Sequence, residues 1–460
     1  MPRKKSRIRL RYPLMLLVTL IAAWCVWRAF YLGPVVVARL ASDRPAIGPG
    51  TEVRAYFEAP KSGLVALRLE LEQGDCRELL AEQSFERVSV FDPRPAVLTE
   101  TFELKAVIGH GAPACLAEGD VTISALARRI SGPLRGETWD EAVLTLPVIF
   151  RPPALQLLSS RHYLRQGGSG IVRFRVGESA VRSGVRVGAI DLPSYALPKG
   201  ATDRFTLFGV PWDLSDRSQI RLYAEDAAGN RVEAPFVDHF RAVPPRRDVI
   251  RLPESFLERV VPAIASQTPG FDASGPLVEQ YLRINRDLRV ANRAFLAELS
   301  RKSVSELLWE GPFLQLRNSA RRAGYGETRS YRYAGREVDV ETHLGLDLAS
   351  VAHAAIEAPN GGRVLFSGFL GIYGNAVVID HGYGMLSVCA HLSSSEVSEG
   401  QLVVKGEVIG HTGATGLAGG DHLHLGIFLQ GVAVDPMEWL DASWIRHRIL
   451  PELPRASIER

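Results

Sequence analysis

The chain has 460 residues, a length that suggests about three domains, with 46% hydrophobic and 23% charged residues and a formal net charge of +3. Six positive charges, Arg3, Lys4, Lys5, Arg7, Arg9 and Arg11, precede residue 12, so the remainder sums to 3 − 6 = −3. Such a balance excludes an extended nucleic-acid-binding surface.

The basic cluster precedes an apolar run from Pro13 to Trp27, which Arg28 interrupts before Ala29 to Ala38 continue it. This is the pattern of a signal sequence or a signal anchor. With Arg28 snorkelling and Phe30, Tyr31 and Leu32 counted, the run approaches the ~20 residues a bilayer requires. Trp24, Trp27 and Tyr31 suit the far interface. Arg39 stands where cleavage at Ala41 would prefer a small residue, and Trp24 precedes Cys25 where a lipoprotein site needs one. The expectation is an uncleaved transmembrane helix within residues 1–35, its basic tail cytoplasmic and the rest of the chain in the periplasm.

Between about Gly48 and Pro152, apolar and polar residues alternate in Val53 to Phe57, Leu64 to Leu71, Val88 to Phe91, Val97 to Leu104, Val121 to Leu126 and Ala142 to Phe150. That spacing predicts a β-sandwich over 36–151. Cys76 and Cys115 fall together here, either as a disulfide of an oxidising compartment or as two thiols. A second set, from Ile171 to the Asp226-Ala-Ala-Gly-Asn230 turn, predicts an Ig-like β module over 152–245. After Pro244-Pro245 the period changes to that of helices, at Glu254–Ser266 and Pro276–Ser300. The second carries Leu277, Tyr281, Leu282, Ile284, Leu288, Val290 and Phe295 as an apolar stripe, the mark of packed core or of an exposed hairpin that regulates. We assign 246–305 to this helical linker and 443–460 to a tail without a clear pattern.

The remaining segment, 306–442, is strand-rich and punctuated by glycine, and seven of the chain's eleven histidines lie between His343 and His424. Thr342-His343-Leu344-Gly345-Leu346-Asp347 offers an imidazole and a carboxylate, both ordinary zinc ligands, around a glycine that lets the backbone turn. A strand through His422-Leu423-His424 aims both imidazoles at one face. A third strand-borne imidazole, His391, follows Cys389-Ala390. Catalytic zinc usually keeps three protein ligands and one position for water. Five candidates leave two imidazoles to orient water, stabilise an oxyanion and protonate a leaving amine. No His-Glu-x-x-His helix is present, so histidine must supply the base.

The segment from about Gly324 to Pro436 resembles the LytM or lysostaphin-type (M23) metallopeptidase domain. The residues that carry the resemblance are His343-Leu-Gly-Leu-Asp347, Gly371-Ile-Tyr-Gly-Asn375, His381-Gly, Ala390-His391-Leu392, Gly400 to Gly406, Gly413-Ala-Thr415-Gly416, His422-Leu-His424 and Val434-Asp435-Pro436. The resemblance implies that His343, Asp347 and His424 bind one Zn2+ and that His391 and His422 are the catalytic histidines. Cys389 stands where the family often has an aromatic residue, on the face a regular strand would share with His391, and reads as a buried small hydrophobe. His353 and His381 read as structural, and His411 as a loop residue at the cleft edge. Arg321, Arg322 and Arg329 read as a solvated face in preference to a surface that meets acidic wall peptides.

The expected fold is a mainly β multidomain chain: an N-terminal transmembrane helix, two β-sandwich (Ig-like) modules, a short helical segment and a C-terminal antiparallel-β M23 peptidase domain. The resemblance implies a zinc-dependent endopeptidase of the inner membrane that hydrolyses cross-linking peptides of peptidoglycan. The other reading is a non-catalytic wall-binding or amidase-activating protein of the same fold. Peptidoglycan and the inner membrane are the expected partners, with a regulatory protein left open. Because ligand imidazoles must be neutral, activity should fall as the pH drops below about 6.

Overall fold

The computed structural model describes residues 11–30, 36–60, 64–85, 99–111, 113–130, 137–198 and 200–453. The basic residues 3–9, Tyr31 and Leu32, the strand expected at Val88 to Phe91 and the end of the tail lie outside the described residues. The chain is mainly β and falls in two compact units, residues 1–153 with 225–231, and residues 154–224 with 232–460.

The first unit opens with helix α1, Arg11–Phe30, on which Leu14, Met15 and Leu16 are more than 60% exposed. Among the described residues no helix is long and apolar enough to cross a membrane. A three-stranded sheet of Val37–Ser42, Gly50–Pro60 and Thr99–Gly109 and a four-stranded sheet of Cys76–Ser84, Leu64–Gln73, Gly119–Ile130 and Glu137–Val148 follow. The cause is strand alternation: Val53, Ala55 and Phe57 are buried while Arg54 and Tyr56 point out. The buried face joins Leu67, Leu69, Leu71, Ile123 and Ala125 in one core. Each large side chain buried this way contributes about 1.5–3 kcal/mol before entropy is counted. Cys76 is bonded to Cys115 across 39 residues of sequence.

Residues 155–241, of which 225–231 cluster with the first unit, include two four-stranded sheets closed over Val172, Phe174, Val185, Phe208 and Leu222. Helices α2 (Glu254–Ala265), α3 (Leu277–Arg283) and α4 (Arg289–Arg301) follow. The stripe on these helices is core: Leu257, Val261, Tyr281, Ile284 and Leu296 are buried against Ile372, Val378 and Val388 of the C-terminal segment. A π-turn at Ile284–Leu288 adds a residue to one turn and rotates the face that follows. Phe295, which an unbroken helical period would place on the stripe, is therefore turned off it and 36% exposed, whereas Val290 lies about 180° from Tyr281 even in a regular helix and is 59% exposed.

The C-terminal segment is built on a ten-stranded sheet whose central strands are Leu346–Ala349, Leu423–Leu429, Met385–Ser395 and Asn375–Gly382. A three-stranded sheet lies beside it, in which Arg246–Arg251 runs parallel to Glu327–Tyr333, itself paired with Arg336–His343.

One further core joins Ile171, Phe205 and Leu207 of the 155–241 sheets to Met385, Ile427, Val434 and Trp439. The Trp439 indole donates to Ser169 Oγ at 2.9 Å. Arg165 donates to Glu438 Oε1 at 2.7 Å and to Asp435 Oδ2 at 2.8 Å. The tail also enters this core through Ile445, Ile449 and Leu453.

Two stability predictions follow from these contacts. Arg165→Met leaves two largely buried carboxylates without their cation and should cost about 3 kcal/mol in urea unfolding of the second unit. Replacing both Cys76 and Cys115 by serine should destabilise the first unit by about 4 kcal/mol, the loop-entropy value for a closure of this length. Midpoints unchanged from the parent chain would contradict either assignment.

Candidate metal centre

His343 ends the strand Arg336–His343, and the chain turns through Leu344-Gly345 into Leu346–Ala349, which carries Asp347. Asp347 lies directly opposite His424, whose other neighbour across the sheet is Ala390. Directly opposed residues share a face, so the carboxylate and the His424 imidazole are delivered to one side. Gly345 is needed for space rather than for an unusual turn: a Cβ there would sit 2.5 Å from His424 Nε2.

His391 reaches the same side by a different device. Cys389 opposes Leu425, and both point into the core on the other face of the sheet. Regular alternation would send His391 with them, but its φ is +66°, a left-handed value that breaks the alternation. Its ring then lies 4.8 Å from that of His422 and 5.9 Å from that of His424. The expectation that Cys389 and His391 share a face is therefore corrected.

Such a backbone costs of order 1–3 kcal/mol and persists only where its surroundings hold it. Thr415 does so twice, its carbonyl accepting from His391 Nδ1 at 2.8 Å and its hydroxyl donating to the Leu392 carbonyl at 2.9 Å. Asn375 N donates to the same hydroxyl at 3.0 Å, and Gly374 and Gly416 pack too closely for any side chain.

The proton positions on the rings follow from their partners. A carbonyl can only accept, so His343 Nδ1 carries the proton it gives to Gly324 O at 2.9 Å, and His422 Nδ1 the one it gives to Gly420 O at 2.8 Å. With His391 bound likewise to Thr415, each of these three rings, when neutral, presents a bare Nε2. His343 Nε2 faces Asp347 Oδ1 at 2.9 Å and His424 Nδ1 at 3.1 Å, and the last two lie 3.0 Å apart. Two acceptors at 2.9 Å repel unless a cation or proton lies between them. Atoms bound at about 2.0–2.2 Å around a tetrahedral zinc stand about 3.3 Å from one another. The spacing and donor chemistry of this His-Asp-His group thus fit a zinc ion, and no metal is observed.

Burial opposes ionisation of Asp347, but His343, with the contacts to His422 and His424, outweighs it and holds the carboxyl well below its usual range. Burial, with His422 and His424 adding to it, also keeps His391 well below the ordinary imidazole value, and His424 is pushed down to about 4, again chiefly by burial. For His422 burial is outweighed by Asp347 at 3.6 Å, so its proton affinity is raised.

Sequence reasoning missed Arg329, assigned to a solvated face. Its guanidinium is largely buried and donates to Asp347 Oδ2 at 2.8 Å, which reserves Oδ1 for the imidazoles. Tyr373, buried in the Gly371-Ile-Tyr-Gly motif, packs 5.5 Å from the His424 ring. His381 is buried between Gly361 O and Ser387 Oγ and pushed down to about 4 by burial. His353 is exposed beside Ser393. His411 lies in the Val408–Thr412 strand next to Glu396, not in a loop. Burial raises the Cys389 thiol to about 12, which suits an inert core residue. A cavity of about 630 Å³ opens on the five residues and on α2, α3 and α4.

The sequence of residues 341–436 matches the model of Peptidase family M23. The chain is 41% identical over 95 residues to the DD-carboxypeptidase/endopeptidase Mpg of Neisseria meningitidis serogroup B, a match covering 21% of this chain and 22% of that protein. It is 32% identical over 116 residues to the peptidoglycan DD-endopeptidase ShyB of Vibrio cholerae, covering 25% and 26%. Identity is 34% over 96 residues to the murein hydrolase activator EnvC of Escherichia coli, covering 21% and 23%. The match thus spans about a fifth to a quarter of each relative. Residues 341–436 are a domain of Peptidase family M23, the LytM and lysostaphin-like peptidases.

Proposed function

We propose that this protein is a zinc-dependent endopeptidase that hydrolyses the cross-linking peptides of bacterial peptidoglycan in cell-wall remodelling. The observation that carries the reading is the convergence of His343, Asp347, His391, His422 and His424, with the Nδ1 protons of His343, His391 and His422 committed to backbone carbonyls. His343, Asp347 and His424 hold the ion; when bound, zinc supplies the Lewis acidity that activates water and polarises the peptide carbonyl. His391, kept neutral by burial, accepts a hydrogen bond from the attacking water at Nε2 and orients it. His422, the more basic of the two, takes the proton at Nε2 and passes it to the leaving amine. The relatives named as DD-endopeptidases support a cross-link between D-alanine and diaminopimelate as the substrate.

The six N-terminal positive charges and the apolar Pro13 to Trp27 run support an inner-membrane anchor with the peptidase in the periplasm, and the Cys76–Cys115 bond suits that oxidising compartment. The similarity to a murein hydrolase activator favours a second reading, a non-catalytic module that acts through a partner amidase. Fragments released from purified cross-linked peptidoglycan separate the two. Loss of cross-linked dimers that needs zinc, and disappears with chelator or His424→Ala, is the expected result. A folded, zinc-loaded protein that releases nothing would favour the activator.

Arg329→Met frees Asp347 Oδ2 and should weaken zinc binding by about 10–100-fold, read by chelator competition with the fold unchanged by circular dichroism. The proton affinity of His422 is raised because its burial is outweighed by Asp347, and the protonated ring is blocked as a base. Activity should therefore fall on acidification, beginning above the ordinary imidazole range, and a profile flat to pH 4 would exclude this role.

A further inference from the structure

The cavity that opens on the five site residues is lined by Arg251, Arg259, Arg289, Arg293, Arg322 and Arg329, while Asp347 is the one acidic residue on its wall. Three of these guanidiniums are committed. Arg259 donates to the Ala418 carbonyl at 2.9 Å, Arg289 to Asn285 with Glu341 at 3.6 Å, and Arg329 to Asp347. No hydrogen bond or ion pair to another described residue holds the side chain of Arg251, Arg293 or Arg322. Arg293 is presented by a rigid support. Its neighbour Asn292 is buried and accepts from Ile372 N at 3.0 Å, which seats α4 on the turn whose Tyr373 packs against His424.

Like charges gathered in one cleft repel, and an anionic occupant relieves that repulsion. Guanidinium groups match carboxylates in geometry as well as charge, and the match is bidentate. A neutral peptide would gain nothing from three unpaired arginines. A volume of about 630 Å³ holds several residues of a peptide beside the metal ligands.

We infer that the helical segment is a wall of the active-site cleft, and that Arg293, with Arg251 and Arg322, forms a subsite for the free carboxylates of an acidic peptide substrate. The inference rests on the peptidase reading and deepens it, since it selects carboxylate-bearing cross-links over neutral glycine chains. These arginines are specificity residues and take no part in the bond cleavage.

The test is calorimetry on the full-length chain with zinc removed, so that the probe is not consumed. Two synthetic peptides are compared, L-Ala-γ-D-Glu-meso-diaminopimelyl-D-Ala with free carboxylates and the same peptide amidated. The free acid should bind about tenfold tighter, with a gap that narrows as salt is added. Arg293→Gln and Arg322→Gln should each shrink the gap and leave affinity for the amide unchanged. Arg322 is exposed, so its substitution remains informative if Arg293→Gln fails to fold. Equal affinity for the two peptides, or a gap that survives both substitutions, overturns the subsite. Because binding is read without cleavage, the outcomes stay separable. A chain that cuts cross-links but binds both peptides equally keeps the peptidase and loses the subsite, and one that discriminates without cutting does the reverse.

Discussion

Three backbone carbonyls, those of Gly324, Thr415 and Gly420, decide what this site can do. Each accepts the Nδ1 proton of one imidazole and so turns a bare Nε2 toward the same point. His424 alone has no such carbonyl, and its Nδ1 faces Asp347 Oδ1 and His343 Nε2 at 3.0 and 3.1 Å. The lone pairs of the held rings and the charge of the carboxylate are thus gathered where a proton or a metal cation satisfies them. The rest of the second unit can be understood as what keeps those carbonyls in place.

Gly324 immediately precedes the strand pair Glu327–Tyr333 and Arg336–His343, and Arg246–Arg251 extends that pair in parallel. Thr415 is held by Asn375 and by the close approach of Gly374 to Gly416. Helices α2 to α4 brace the turn at Gly371–Tyr373 from outside. The 155–241 sheets share a core with the peptidase segment and clasp its Asp435 and Glu438 through Arg165. A chain segment that reads as spacer or linker is here part of the packing around the M23 domain.

Much of the site was legible because its chemistry is written in residue types at short spacing. His343 with Asp347, and His422 with His424, are each local, and strand alternation alone predicts that the second pair shares a face. The apolar periods of the helices were equally plain until the π-turn at Ile284–Leu288, where an added residue shifted the face and Phe295 turned toward solvent. Arg329 was not legible. In sequence it is one arginine among several near a strand, and only the pairing of Glu327–Tyr333 with Arg336–His343 brings it to Asp347, eighteen positions further on.

The sequence by itself determined the donor set, the strand and helix periods and the likeness to a peptidase family, because each depends on residues within a few positions of one another. Tertiary structure decided which nitrogen of each ring carries the proton, that His391 leaves its strand's alternation through a left-handed backbone, and that six arginines surround one cavity. Those features arise from contacts between segments far apart in the chain. A carbonyl, a close-packed glycine or a helix face acts on its neighbour only after folding has brought the two together.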